Sequence, residues 1–188
     1  MTDVVYHFTC TARLPWIIAT KELRPGRNQV GNYPVDFLWA TTRDQGDRTA
    51  AAMKTYRKGQ LPLVRLTLPA GDFEAWPAIL ARFPQWKPEH IEKLQNAARN
   101  LGETNFSCWR ARAEPLPLSR VIKSEAKTYT GSWKPIELDS LPGPDPAMRA
   151  VVFDDHFYFS TQRAEPGVAT QYYTSKISLT ELLSEYAA

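Results

Sequence analysis

The chain has 188 residues, 23 Lys/Arg against 20 Asp/Glu, and a hydrophobic fraction of 43%. That is enough for one domain with a buried core, residues 1–188, of ordinary soluble composition. No apolar run approaches the length of a membrane span, and the N-terminus lacks the basic region and apolar segment of a signal peptide. A cytoplasmic location and no membrane partner are therefore expected.

The first strand-like stretch is Val4-Val5-Tyr6-His7-Phe8-Thr9. Alternation puts Val4, Tyr6 and Phe8 on one face and Val5, His7 and Thr9 on the other. An imidazole and a hydroxyl thus sit two residues apart on one face. A satisfied half-buried histidine and a ligand-holding one both fit this pattern. A helix-like segment, Ala12 to Leu23, follows and closes at Arg24-Pro25-Gly26. The loop from Arg24 to Pro34 is rich in turn-forming residues and longer than the usual ~4–6 residues between elements. Its arginines and backbone amides could cover a phosphate, although it has neither Walker nor dinucleotide-fold spacing.

Asp36 to Thr42 reads as a second strand with Phe37, Trp39 and Thr41 on one face. A helix is expected over Asp44 to Lys58, with basic residues and Gly59 as its stop. Leu63 to Leu68 is a third strand. From Asp72 to Asn100 the pattern is helical, with an apolar stripe from Trp76 to Trp86 and a second helix starting at Pro88. His90 reads as a surface residue. The two cysteines, Cys10 and Cys108, have no zinc-ligand spacing, so neither a metal site nor a disulfide framework is indicated. Both suit small buried hydrophobes.

The stretch Ser107 to Glu114 reads as a strand with Arg110, Arg112 and Glu114 on one face. On its own that pattern fits a structural ion pair. Another strand-like segment holds Glu125, and Thr128 to Leu138 forms a turn and a short strand. Leu141 to Pro146 is a proline-rich connection. Residues 150–160 read as a hairpin with Asp154 and Asp155 at its turn. His156 beside these aspartates could form an acid–base site or be a turn-flanking polar residue. Ser178 to Glu181 is a capping box opening a last helix. Charge is uneven: residues 1–65 hold ten Lys/Arg against five Asp/Glu, and residues 135–188 hold three against eight. A basic front suits an anionic ligand, and a solvated charged surface accounts for it equally.

The run Tyr6-His7-Phe8-Thr9, then Leu14-Pro15-Trp16-Ile17-Ile18, then Leu23-Arg24-Pro25-Gly26 resembles the opening of ADP-ribosyltransferase-like proteins, most in the style of small bacterial members akin to the DarT toxins. Trp109 to Ile122 resembles the later strand block of that family. The resemblance covers roughly the first forty residues and Cys108 to Glu125. It implies an α+β fold of two small packed β-sheets with flanking helices. Residues 1–138 would be the NAD-binding catalytic core, and 139–188 an acidic extension. It implies NAD as cosubstrate and ADP-ribose transfer to a nucleic acid or protein, with nicotinamide released. His7 would hold the ribose, with Thr9, Arg27, Trp39 and Thr41 lining the cofactor site. Glu114 would stabilise the cationic sugar, as carboxylates do in glycoside hydrolysis, or activate the acceptor as a base. Glu125 is its rival. The Arg and Ser-Thr-Ser pattern, the paired E-x-E and the midway tyrosine of other branches have no counterpart here. Two further readings remain open: a non-catalytic module binding NAD, ADP-ribose or a partner protein, and a relative of RNA 2′-phosphotransferases relying on Arg24, Arg27 and Arg112.

Overall fold

Strand β1 (Val4–Cys10) forms where the sequence alternates, and it pairs along its whole length with β4 (Leu63–Pro69), from Val4↔Pro69 to Cys10↔Leu63. The computed structural model describes residues 3–26, 33–138, 141–142, 149–154, 156–160 and 173–175. After β1 the chain makes a short 3-10 turn and α1 (Leu14–Thr20), which stops at Lys21 in a left-handed conformation, φ 57°. Then come β2 (Glu22–Leu23), β3 (Leu38–Thr41) and α2 (Met53–Arg57). Past β4 lie β5 (Glu74–Ala75), α3 (Pro88–Asn100), β6 (Trp109–Arg112), β7 (Leu116–Pro117), β8 (Lys123–Lys127) and β9 (Lys134–Pro135). Four strands follow: β10 (Leu141–Pro142), β11 (Arg149–Phe153), β12 (His156–Ser160) and β13 (Tyr173–Ser175).

The fold is mixed α+β with few helices. Among the described residues it is built on a seven-stranded antiparallel sheet of order β5-β6-β3-β1-β4-β8-β9, beside a four-stranded sheet (β10 to β13) and the β2–β7 pair. This division differs from two small sheets. β1 and β4 are long, and each pairs on both edges, so the strands gather into one large sheet.

Every residue from Leu63 to Leu68 is buried, because the sheet is covered on both sides. On one side Val5, Val64, Leu66 and Leu68 pack with Leu14 and Ile17 of α1. Phe153 of the C-terminal hairpin belongs to the same core, so residues expected as an extension share it. On the other side two clusters form. Phe8, Cys10, Ala52 and Leu63 make one, and Phe37, Trp76, Ile79, Trp86 and Trp109 make the other, capped by α3. Cys10 and Cys108 are both buried, and burial pushes both thiols above their ordinary range.

The helix expected over 44–58 shrinks to α2. Asp47 is the physical reason: its carboxylate accepts from the Thr49 backbone N–H (2.9 Å) and hydroxyl (2.6 Å) and from Trp109 Nε1 (3.2 Å). Such local side-chain bonds compete with helical ones, and Gly46 nearby takes φ 133°. His90 is part of a helix start, its Nδ1 accepting from the Lys87 N–H at 3.1 Å. The capping box at 178–181 lies outside the described residues. No helix among the described residues is long and apolar enough to cross a membrane.

Arg65 is the one charge carried by the buried run of β4. Its guanidinium donates to Glu125 Oε2 (2.6 and 3.2 Å) and to the Asp44 carbonyl (2.5 Å). Burial pushes the Glu125 carboxyl up, but Lys123 and Arg65 outweigh it and hold it below its usual range. Glu125→Ala leaves Arg65 buried without its carboxylate, and should cost about 3–5 kcal/mol at pH 7 in urea denaturation. Glu125 titrates lower when folded than its unfolded value of about 4.3, so its contribution is complete above that pH. The gap between wild type and variant should close as pH falls through the folded value.

Candidate functional site

Residues paired across antiparallel strands point to the same face. His7 is opposite Leu66, and therefore looks toward the α1 side of the sheet with Val5 and Thr9. The ring is part-buried, and its Nδ1 lies 2.7 Å from the Trp39 carbonyl. A carbonyl only accepts, so Nδ1 carries the proton, and Nε2 of the neutral ring presents a lone pair. Burial lowers the His7 pKa; the Trp39 carbonyl opposes that, and the charge of Arg13 adds to it, for a net downward shift. The result is a fixed, neutral imidazole whose Nε2 is able to accept a hydrogen bond. Thr9, 2% exposed, shares this face.

Four buried side-chain polar atoms among the described residues have no hydrogen-bond partner, and three belong to the connection leaving β1: Thr11 Oγ1, Trp16 Nε1 and Arg24 NH1. The Arg24 guanidinium sits over the Trp16 ring, 5.4 Å from its centroid, while its NH2 reaches Glu22 Oε1 at 3.3 Å. Leaving a buried donor unsatisfied costs about 1–3 kcal/mol. Three on one strand–helix–strand segment therefore favour an acceptor-rich ligand there. Arg24 belongs to the loop whose sequence suits a phosphate, while Thr11 and Trp16 carry no such signal. Nothing in their periodicity separates them from core residues.

The other expected residues do not gather around His7. Trp39 meets it through its backbone only. The indole packs on the far face, 5.1 Å from Trp76, 5.6 Å from Phe37 and 5.8 Å from Trp109, with Nε1 donating to Asp36 Oδ1 at 3.0 Å. Thr41 is also on that face, opposite Tyr6, and its hydroxyl accepts from the Arg43 N–H. Arg27 lies outside the described residues.

Glu114 stands past the end of β6, because β3 begins at Leu38, opposite Arg112, and offers no partner beyond it. Arg112, two strands from His7 and two residues further along, is already roughly 12 Å away between Cα atoms. Glu114 lies beyond that, its half-exposed carboxylate held by Arg82 at 2.6 Å. Burial raises its pKa and Arg82 lowers it, for a net downward shift. Glu125 pairs with Arg65, the neighbour of Leu66, and so occupies the face opposite His7. Arg112 is engaged with the Glu114 and Asp72 carbonyls. The side chain of His156 lies outside the described residues, although its backbone pairs with Phe153 across the expected turn.

No group of three or more His, Cys, Asp or Glu among the described residues is arranged to hold a metal ion. No family model, curated protein or solved structure matches the chain.

The His7 geometry makes a direct prediction. Nitrogen-detected NMR should find the neutral ring protonated at Nδ1 and titrating below its ordinary value of about 6.5. A depressed histidine favours the unfolded state once it must charge, so its contribution to stability should fade as pH falls below about 6.5. A His7→Phe variant should lose this pH dependence in thermal melts.

Proposed function

We propose that the protein binds NAD at the His7 face as an ADP-ribosyltransferase-type enzyme, and passes ADP-ribose to a macromolecular acceptor. What supports this is a neutral His7, its Nε2 able to accept from a ribose hydroxyl, together with buried unpartnered groups at Thr11, Trp16 and Arg24 on the segment that follows the same strand. A dinucleotide supplies what those groups lack: hydroxyls for the imidazole and anionic oxygens for the donors. Arg24 and Trp16 Nε1 suit a pyrophosphate, since a hydrogen bond with an ionised donor or acceptor is roughly twice as strong as a neutral one.

In this reading the bond between ribose C1 and nicotinamide nitrogen breaks, and one forms from C1 to the acceptor, whose proton passes to a base. NAD supplies the activated glycosidic bond. The chain positions the ribose through His7, and Glu114 is the candidate to stabilise positive charge or take the proton.

Binding without transfer is the second reading, favoured by the placement of both glutamates. Glu114 is paired with Arg82 at the sheet edge, and Glu125 is locked beneath Arg65 on the opposite face. For Glu114 to act, it must exchange Arg82 for the ligand.

The test is NAD binding by calorimetry, together with nicotinamide release in the presence of nucleic acid and protein acceptors. His7→Ala should weaken binding about three- to tenfold, the worth of one neutral hydrogen bond, and Arg24→Ala by about ten- to a hundredfold. Nicotinamide release abolished by Glu114→Gln, with binding kept, selects the transferase. Binding without release by wild type selects the reader. If NAD and ADP-ribose both fail to bind, the proposal is wrong.

A further inference from the structure

Lys127 ends β8 on the face opposite His7, where it pairs across with Leu63. The residue is half-buried, and its ammonium lies against two rings. It is 4.5 Å from the centroid of Trp133, in the turn from β8 to β9, and 5.4 Å from that of Tyr56 on α2. Tyr56 meets Tyr129 edge-on at 5.7 Å, and Tyr129 is 58% exposed, an uncommon position for a large ring. A second cation stands over the same Trp133 ring: the Arg65 guanidinium, 4.3 Å from its centroid. Arg65 is fixed there by Glu125 Oε2 and the Asp44 carbonyl.

Lys127 forms no ion pair among the described residues. The carboxylate on its own strand face, Glu125, is taken by Arg65 and Lys123. The phenol facing it, Tyr56, is pushed upward by burial and by Tyr129, and so stays neutral. Burial lowers the Lys127 pKa and the charge of Arg65 adds to that; the net shift is downward although the rings favour a cation. A lysine desolvated beside a fixed cation offers its lone pair more readily than an exposed one. The contrast lies within the chain: Lys21, Lys54 and Lys58 are exposed, and Lys123 and Lys134 are paired with carboxylates.

We propose that Lys127 is a reactive amine that condenses with small aromatic aldehydes. Its Nζ lone pair attacks the carbonyl carbon, and both amine protons leave with the carbonyl oxygen as water. A C=N bond replaces the C=O bond, and neither oxidant nor reductant is needed. The neutral imine also ends the repulsion between Lys127 and Arg65. The rings choose the partner. Trp133 and Tyr56 flank the nitrogen and Tyr129 extends them into solvent, so an aromatic aldehyde gains ring contacts that an aliphatic one lacks. The inference does not rest on the NAD reading, because it uses the opposite face of the sheet and none of the same residues.

The experiment treats the full chain with 4-hydroxybenzaldehyde or with butanal over a range of pH, reduces the imine with cyanoborohydride and locates it by peptide mass spectrometry. At near-neutral pH Lys127 should be labelled first, and its rate should level off at a lower pH than that of the exposed Lys54. Its preference for the aromatic aldehyde should exceed that of Lys54 by about two- to tenfold, the worth of one ring contact. Tyr129→Ala removes an exposed ring and should shrink that preference while leaving the pH profile in place. Lys127→Arg keeps the charge and should abolish the fast site, leaving the exposed lysines to react at their own rate. Labelling of Lys127 no faster than Lys54, a shared pH profile, or equal preference for the two aldehydes would each overturn the proposal.

Discussion

Seven consecutive residue pairs join β1 to β4, and β4 is buried on both sides throughout Leu63 to Leu68. That double burial is the constraint on which the rest depends. A strand covered on both faces cannot slip by one residue without turning its whole set of side chains over, which would exchange Leu66 and Arg65 and put the guanidinium into the α1 core. The register is therefore held, and with it the assignment of every neighbour to a face. His7 follows Leu66 to one side. Phe8 follows Arg65 to the other, and Glu125 follows from β8.

The two faces consequently differ in chemistry. The face toward α1 combines an apolar core with a fixed imidazole, a buried threonine, Ser124 and, further along the sheet, Arg110 and Arg112. The opposite face stores its charge in layers: Arg65 and Glu125 within, Lys123 and Lys127 above, and rings between them. A buried ion pair adds little to stability compared with apolar residues of equal size. What it contributes here is anchorage. Arg65 spans β4, β8 and the Asp44 carbonyl, and its guanidinium stacks on the Trp133 ring, which gives the β8–β9 turn a defined place.

Much of the framework was legible in the sequence, because strands announce themselves by alternation and by apolar runs. Val4 to Thr9, Asp36 to Thr42, Leu63 to Leu68 and the segment around Glu125 all became strands within a residue or two. Pro88 marked the start of α3 as expected. The expected helix over 44–58 failed because alanines and lysines describe local preference only. The capture of Asp47 by Thr49 and by Trp109, far away in sequence, is a tertiary event that no local pattern records. The site was less legible for a related reason. Alternation assigned His7 and Thr9 to one face correctly, but it cannot say which faces of separate strands coincide. Trp39 and Thr41 thus shared a face with each other and not with His7. Glu114 fell off the strand because its partner strand ended first. That length is set by the Pro34 and Asp36 side of β3, not by the Ser107–Glu114 stretch itself.

Trp39 joins the two sides. Its carbonyl accepts the His7 proton that fixes the imidazole tautomer, while its indole is wedged among Phe37, Trp76 and Trp109 and tethered to Asp36. A backbone carbonyl is only as well placed as the residue that carries it, and this residue is held by a dense ring cluster on the far face. The aromatic mass from Trp76 to Trp109 resembles an accessory layer in sequence, distant from any site. Through Trp39 it becomes the support of the His7 imidazole on the α1 face. Its rigidity then sets how firmly Nε2 is aimed, and the large tryptophan content of the chain acquires a role at the site without any indole touching a ligand there.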